Sequence, residues 1–361
     1  TFIEEALAIT RKLAVDPHRS LPDPALYGPT PGIDLQLSDP RYDLVDMDAR
    51  KQQVRQTEAT ARAAGGTIIS VTAEMATQSA EFIQLHSNGF CGTHCATGFY
   101  LGASVTARDE GERRPEDYCW VGARHLEDLP PPAEVGAEAG RRALARLAAR
   151  KVSSRRMTLV VENRAAGRLV GSLLGPLSGA ALQQRRSCFE GKLGELLGSP
   201  ALQIVDEPLL VRGLGSRTFD GDGLAARPLR IFTEGRLENY FIDVYYGRKM
   251  GLDPTSGSGS NLVFTPGQRT LAEIIAGVDR GVVVNSFLGG NANSATGDFS
   301  YGINGQLIEG GRVTDPVSEM NIAGNHLALW RQLVEVGDDP YRFSSWRVPS
   351  LVFDDVQFSG S

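Results

Sequence analysis

Beyond Pro200 the chain breaks into short β-forming runs separated by glycine-rich turns, and this spacing constrains its fold more than any other feature. Runs of that length cannot bury a core one at a time, so they must pair and close on themselves as a barrel or a sandwich. Leu229–Thr233 and Leu237–Ile242 flank Glu234-Gly235, and Gln306–Glu309 and Arg312–Thr314 flank Gly310-Gly311. Each hairpin carries Glu-Gly, then Arg and a branched apolar residue, which reads as turn chemistry used twice and not as a repeat array.

The first half has a different texture. Phe2–Leu13 reads as a helix and Asp16–Arg41 as a connector, because its prolines fix φ and remove backbone donors. Asp46–Ala64 has helical spacing, and Thr67–Val71 is a short β-branched strand. Ala80–His86 and Gly98–Val105 flank Ser87-Asn88-Gly89 and are expected to pair antiparallel, with Asp117–Val121 as a third strand. Pro130–Pro132 stops the sheet. Ala133–Lys151 follows as an amphipathic helix with Val135, Ala139, Leu144 and Leu147 near one face and its Arg and Glu side chains solvated. Thr158–Val161 is a buried-type strand, and Ala165–Gln184 a helix of small residues that packs closely against a neighbour. The expected fold class is α+β. Residues 1–152 form an N-terminal α+β domain with an antiparallel sheet and amphipathic helices, and residues 153–361 a mostly β, barrel- or sandwich-like domain.

Several functions are poorly served by this sequence. The net charge is −6 with Lys and Arg scattered among Asp and Glu, so no stripe neutralises a run of phosphates and direct nucleic-acid binding is not expected. The most apolar pieces, such as Gly281–Leu288, are strand length, far short of the roughly 20 residues of a membrane helix. Cys91, Cys95, Cys119 and Cys188 are too sparse to staple the chain, which points to a reducing, cytoplasmic setting. The sequence opens at Thr1 inside a helix, without an initiator Met or a leader, and is read as lacking an N-terminal segment.

Residues able to carry chemistry are dispersed. His18, His86, His94, His125 and His326 are isolated, with no two at helical i, i+4 or i+5 spacing, so no local zinc-hydrolase motif is present. Cys91-Gly92-Thr93-His94-Cys95 reads as a hairpin loop with two incidental thiols, although a thiol nucleophile using His86 or His94 as base is an open alternative. Gly213-Leu214-Gly215-Ser216-Arg217 lacks the ending of a phosphate loop, and its glycines are expected to supply turns with positive φ. Asp220-Gly221-Asp222-Gly223 has no twelfth-position acid to complete a calcium cage and reads as a turn.

Phe189–Glu195 (FEGKLGE), Gly213–Gly223 (GLGSRTFDGDG), Tyr246–Gly251 (YGRKMG) and Thr255–Leu262 (TSGSGSNL) stand in order along the chain. Gly289-Gly290-Asn291, Thr296–Gly302 (TGDFSYG), Pro316–Glu319 (PVSE) and Ala323-Gly324-Asn325 continue the series, and Ser87–Phe90 and Ala123–Leu129 precede it. Together these motifs resemble the TldD/PmbA family, also called the modulator of DNA gyrase family, over nearly the whole chain. One branch of that family carries His-Glu-x-x-x-His on the helix after the central strand and a Cys ligand near the C-terminus. Here the helix reads Gly167–Gln184 without His or Glu, and Ser344–Ser361 has no Cys, so the chain resembles the TldE/PmbA branch.

The resemblance implies a subunit with no catalytic residue, no metal ligand and no cofactor of its own. Zinc is expected in a TldD-like partner, and the two subunits would enclose a chamber for small or unfolded peptides, with roles in peptide maturation and antitoxin degradation. Arg217, Asp220, Asn291, Asn293, Thr296 and Asp298 are the substrate-channel candidates, able to offer charge and hydrogen bonds to peptide backbone or else to close their own turns. Two other readings stand beside this one. The first is an autonomous hydrolase using a Cys or a metal gathered from distant residues, and the second a non-enzymatic homodimeric binding protein.

Overall fold

The structure, a computed structural model, describes residues 1–28 and 32–360. Pro29, Thr30 and Pro31 of the expected connector, and Ser361 of the final stretch, lie outside the described residues. The fold is α+β, as the sequence implies, and no helix among the described residues is long and apolar enough to cross a membrane.

The opening helix, α1 (Phe2–Thr10), is closed by a capping box between Thr1 and Glu4, and none of its residues is buried. Asp46 caps α2 (Met47–Ala63) by accepting the N–H of Ala49. A three-stranded antiparallel sheet follows, from β1 (Ile68–Leu85), β2 (Cys91–Ala107) and β3 (Glu116–Ala123), with β2 central. The two strands expected at Thr67–Val71 and Ala80–His86 are one continuous strand of 18 residues, paired from Ile68↔Ala107 to Leu85↔Cys91. Only His86–Phe90 is left as the turn, so Cys91–Cys95 sits in a strand and not in the expected loop.

The helix α3 (Pro132–Leu144) packs with α2 on this sheet over Ala61, Leu101, Val105, Val121, Val135 and Ala139. The helices approach closely because α3 has glycine at the crossing: a Cβ at Gly136 would run into the Thr57 carbonyl oxygen. This helix ends at Leu144, short of the expected Lys151, and its arginines are not all solvated. Arg142 is buried, with Nη1 donating to both Glu162 oxygens at 2.9 and 2.8 Å, Nε to Asp117 at 3.2 Å and Nη2 to the Asn285 carbonyl at 3.0 Å. Burial opposes the charge, but Glu162 and Asp117 outweigh it and hold the guanidinium protonated. An amphipathic reading misses this because the two acids are distant in sequence.

The second half begins with β4 (Arg155–Val161) and α4 (Asn163–Leu174). The single helix expected over Ala165–Gln184 is interrupted at Pro176, which lacks an N–H to continue the ladder. A 3₁₀ turn over Gly175–Leu177 leads into α5 (Gly179–Gln183), capped by Ser178. Next come β5 (Ile204–Asp206), β6 (Leu229–Thr233), β7 (Arg236–Leu237), α6 (Val244–Met250), β8 (Leu262–Phe264) and α7 (Leu271–Ala276). The long strands β9 (Arg280–Ala292), β10 (Asp298–Glu309) and β11 (Arg312–Asn325) follow. The chain finishes through α8 (His326–Leu329), β12 (Leu333–Val336), β13 (Trp346–Arg347) and β14 (Leu351–Ser359).

Strands in the order β11-β10-β9-β4-β14 close into a five-stranded barrel through β11–β14 pairs at Asn321↔Ser359 and Ile322↔Phe358, and β12 adds to β14 outside the ring. Only β4–β9 is parallel within it. Successive residues face opposite sides. Leu159, Val161, Val282, Val284 and Phe353 join α4 and a second sheet, ordered β13-β8-β5-β6-β7, in the main core, whereas Val160, Val283 and Val352 meet Ile274 of α7. Both expected hairpin turns have positive φ at their two central residues, 48° and 78° at Glu234-Gly235 and 55° and 75° at Gly310-Gly311, as the right-handed twist of paired strands requires.

Candidate functional site

The helix α4 leaves β4 at Glu162 and buries Ala166, Leu169, Val170 and Leu173. Its opposite face presents Asn163, Arg164, Gly167, Arg168 and Gly171. A zinc site on such a helix needs neutral imidazole or carboxylate donors one turn apart. At that spacing this helix offers two guanidiniums, Arg164 and Arg168, which do not fit a cation. Among the described residues no three His, Cys, Asp or Glu side chains converge on one point.

The histidines occupy separate surroundings. His86 Nδ1 meets the Tyr27 hydroxyl at 2.9 Å, and His125 Nε2 the Gln36 carbonyl at 2.8 Å. His94 lies against Phe82 and Phe219, where burial, and then Arg124, lower its pKa. His94 and Cys95 are neighbours in β2 and so project to opposite faces, and His86 is held by Tyr27 and Gln84; among the described residues neither Cys91 nor Cys95 has a hydrogen-bonded base. His326 is buried against Phe299, 3.5 Å from the Tyr301 hydroxyl, which in turn meets Ser172 of α4 at 2.6 Å.

The six channel candidates fall into two groups, and among the described residues no hydrogen bond joins one to the other. Arg217 and Asp220 belong to the 213–225 loop. Arg217 donates to Ser256 Oγ at 3.0 Å, to Ser258 Oγ at 3.3 Å and to the Ser258 carbonyl. Asp220 accepts the N–H groups of Asp222 and Leu224, each at 3.0 Å, and its burial raises the carboxyl above the usual range against those bonds. The Asp220–Gly223 run is thus an Asx turn. Gly213 and Gly215 do not adopt the expected positive φ; they are small because a Cβ at Gly215 would meet the Ser260 carbonyl and one at Gly213 the Ser216 hydroxyl.

Asn291, Asn293, Thr296 and Asp298 sit together at the exposed β9–β10 connection. Asn293 Oδ1 accepts the N–H of Ala295 at 2.9 Å, Thr296 Oγ1 donates to Asp298 at 2.7 Å, and Asn325 Nδ2 donates to Asp298 at 2.9 Å. The amide of Asn325, and then Thr296, hold the Asp298 carboxyl below the usual range. Asn291 makes no side-chain hydrogen bond among the described residues.

Sequence reasoning missed Arg164, Arg168 and the aromatic side chains near them. The signal was partly present: Arg164 and Arg168 stand four apart with glycine between them, but the helix was expected to begin at Ala165, which left Arg164 outside it. They line a cleft of about 480 Å³ between α4, β3 and β9. Another cleft, of about 580 Å³, lies between residues 33–41 and the start of β2. Its two arginines are paired, Arg41 with Asp39 and Glu127 and Arg212 with Glu127 and Asp128.

The family model described as PmbA/TldA metallopeptidase C-terminal domain matches residues 154–360, and the PmbA/TldA metallopeptidase central domain matches residues 41–147. The chain is similar to the metalloprotease PmbA of Escherichia coli O157:H7, with 30% identity over 277 residues, covering 76% of this chain and 61% of that relative's length. It is similar to the crystal structure of a putative modulator of DNA gyrase from Bacteroides thetaiotaomicron, with a TM-score of 0.97 and 42% identity over 100% of this chain and 82% of that one. The fold also matches TldE from Thermococcus kodakarensis, with a TM-score of 0.84 and 23% identity over 99% of this chain and 84% of that one.

Proposed function

Because the chain belongs to the PmbA/TldD metallopeptidase family, we propose that it is the zinc-free subunit of a cytoplasmic TldD/TldE-type complex that processes small or unfolded peptides. In this reading a TldD-like partner carries the zinc and the bond-breaking step, and this chain helps enclose and hold the peptide. The observation that carries it is the stretch Gly167–Gln184: where the resemblance places a His-Glu-x-x-x-His motif, it has no His and no Glu to ligate a cation.

Arg217, Asp220, Asn291, Asn293, Thr296 and Asp298 are the proposed channel residues. Five of them fix the two loops through their own hydrogen bonds, and Asn291 has an amide uncommitted to the loop and available to peptide backbone.

Co-expression with a TldD-like zinc protein, followed by sizing, metal analysis and a peptidase assay, tests the reading. A mixed complex should form and cleave, neither subunit should cleave alone, and Arg217→Ala with Asn291→Ala should lower the rate of the complex. Stoichiometric zinc and chelator-sensitive cleavage by the isolated chain would end it, and an unchanged rate in the double variant would remove those two residues from the channel.

A further inference from the structure

The cleft beside α4 has the features of a binding site for which nothing above supplies a ligand. Arg142 lies in one wall but is consumed by Glu162 and Asp117. Arg164 and Arg168 are not consumed. The one carboxylate within 4 Å of Arg164, Glu138 at 3.8 Å, is already bidentate to Arg141, and among the described residues none lies within that distance of Arg168. The two guanidiniums are positioned instead by rings, Arg164 with Cζ 5.5 Å from the Tyr341 centroid and Arg168 5.3 Å from that of Tyr301. A ring against a guanidinium face fixes the plane; Arg164 Nη1 donates to the weakly accepting Cys119 sulfur at 3.3 Å, and the other edge N–H donors of the two arginines are left for a ligand. Tyr341 is itself fixed, since its hydroxyl donates to the Trp120 carbonyl at 2.6 Å.

A second, independent feature is Gly167, three residues after Arg164 and immediately before Arg168. Glycine inside a helix costs about 1 kcal/mol against alanine and is usually retained for close packing. Here a Cβ would meet nothing within 4 Å, so packing gives no reason for it. The missing side chain keeps the cleft floor open between the guanidiniums.

We infer that the α4 cleft binds a carboxylate carried on a short peptide, held by the edges of Arg164 and Arg168 with the peptide's apolar groups against Trp120, Phe287 and Tyr341. The planar fork of a guanidinium matches a carboxylate in two parallel hydrogen bonds. Two cations, of which Arg164 faces the Glu138 carboxylate at 3.8 Å, suit a singly charged group. The choice of a peptide as carrier rests on the proposed function, whereas the carboxylate preference rests on the cleft alone.

Isothermal titration on the full chain without any partner tests this. The probes are N-acetyl-Ala-Phe-Ala-Phe with a free C-terminal carboxylate, the same peptide as its C-terminal amide, and that amide with Glu in place of the second Ala. The free acid should bind at least about tenfold tighter than the plain amide and lose affinity as salt is raised. Arg168→Gln, at an exposed position, should cost about tenfold or more. Gly167→Leu should block the cleft, with circular dichroism and melting temperature showing that each variant is folded. If the Glu-containing amide binds as tightly as the acid, the site holds and its carboxylate comes from a side chain. Equal binding of the acid and the plain amide, unchanged binding by folded Arg168→Gln, or no binding of either carboxylate probe overturns the inference. Because no zinc subunit is needed, a chain that activates a TldD-like partner yet ignores the carboxylate defeats this inference and leaves the proposed function standing.

Discussion

His326 is 2% exposed and lies behind Phe299 and Tyr301, and burial lowers its pKa to about 4. An unfolded chain would protonate this imidazole near pH 6.5, so between those values the unfolded state binds the extra proton and stability rises with pH. The contribution is complete above about pH 6.5 and is lost as pH falls toward 4, amounting to about 3 kcal/mol for this group. Denaturant unfolding between pH 7 and 4 should show that slope, and His326→Phe should flatten it; an unaltered slope in the variant would assign the acid sensitivity elsewhere. The isolation of the five histidines was legible from spacing. Burial of His326 was not, because it depends on aromatic neighbours from β10. Arg142 shows the same limit more sharply, since only the assembled structure reveals that Asp117 and Glu162 meet its guanidinium.

At the scale of elements, the same substitution should have opposite signs in two helices. Gly136→Ala in α3 gains helix propensity of about 1 kcal/mol but drives a Cβ into the Thr57 carbonyl, and overpacking against backbone, at about 1–3 kcal/mol, outweighs it. Gly167→Ala in α4 meets nothing and keeps the gain. Melting temperatures should therefore fall for the first and rise for the second, and a shift of the same sign in both would refute the contrast. Most elements were legible where periodicity or turn chemistry was strong, as in α2, β3 and the Glu234-Gly235 and Gly310-Gly311 turns. The strand β1 was split in the reading because Thr72–Ser79 alternates only weakly, with Ala73 and Met75 half-buried against the core and no residue fully buried; backbone pairing with β2 carries it through. The break at Pro176 follows from proline chemistry and was masked by the small-residue run on either side.

Over the whole molecule, the α+β class and a β-rich second half were legible from texture, and the motif series carried the family. The expected barrel or sandwich is a barrel; which strands seal it was not legible, because closure rests on only two β11–β14 pairs. Neither was the α4 cleft, whose walls come from both halves of the chain. The Arg142 cluster also joins those halves: α3 and β3 supply Arg142 and Asp117, and Glu162 and Asn285 belong to the segments around β4 and β9. Neither half can open without stranding an ion that has left water. The helices and hairpin of the first half and the barrel of the second should consequently melt as one cooperative unit, giving a single calorimetric peak. Glu162→Ala strands Arg142 at a cost of about 3–5 kcal/mol and should split that peak, with the α2–α3 half melting first. Two peaks in the unaltered chain would mean that the joint transmits no cooperativity.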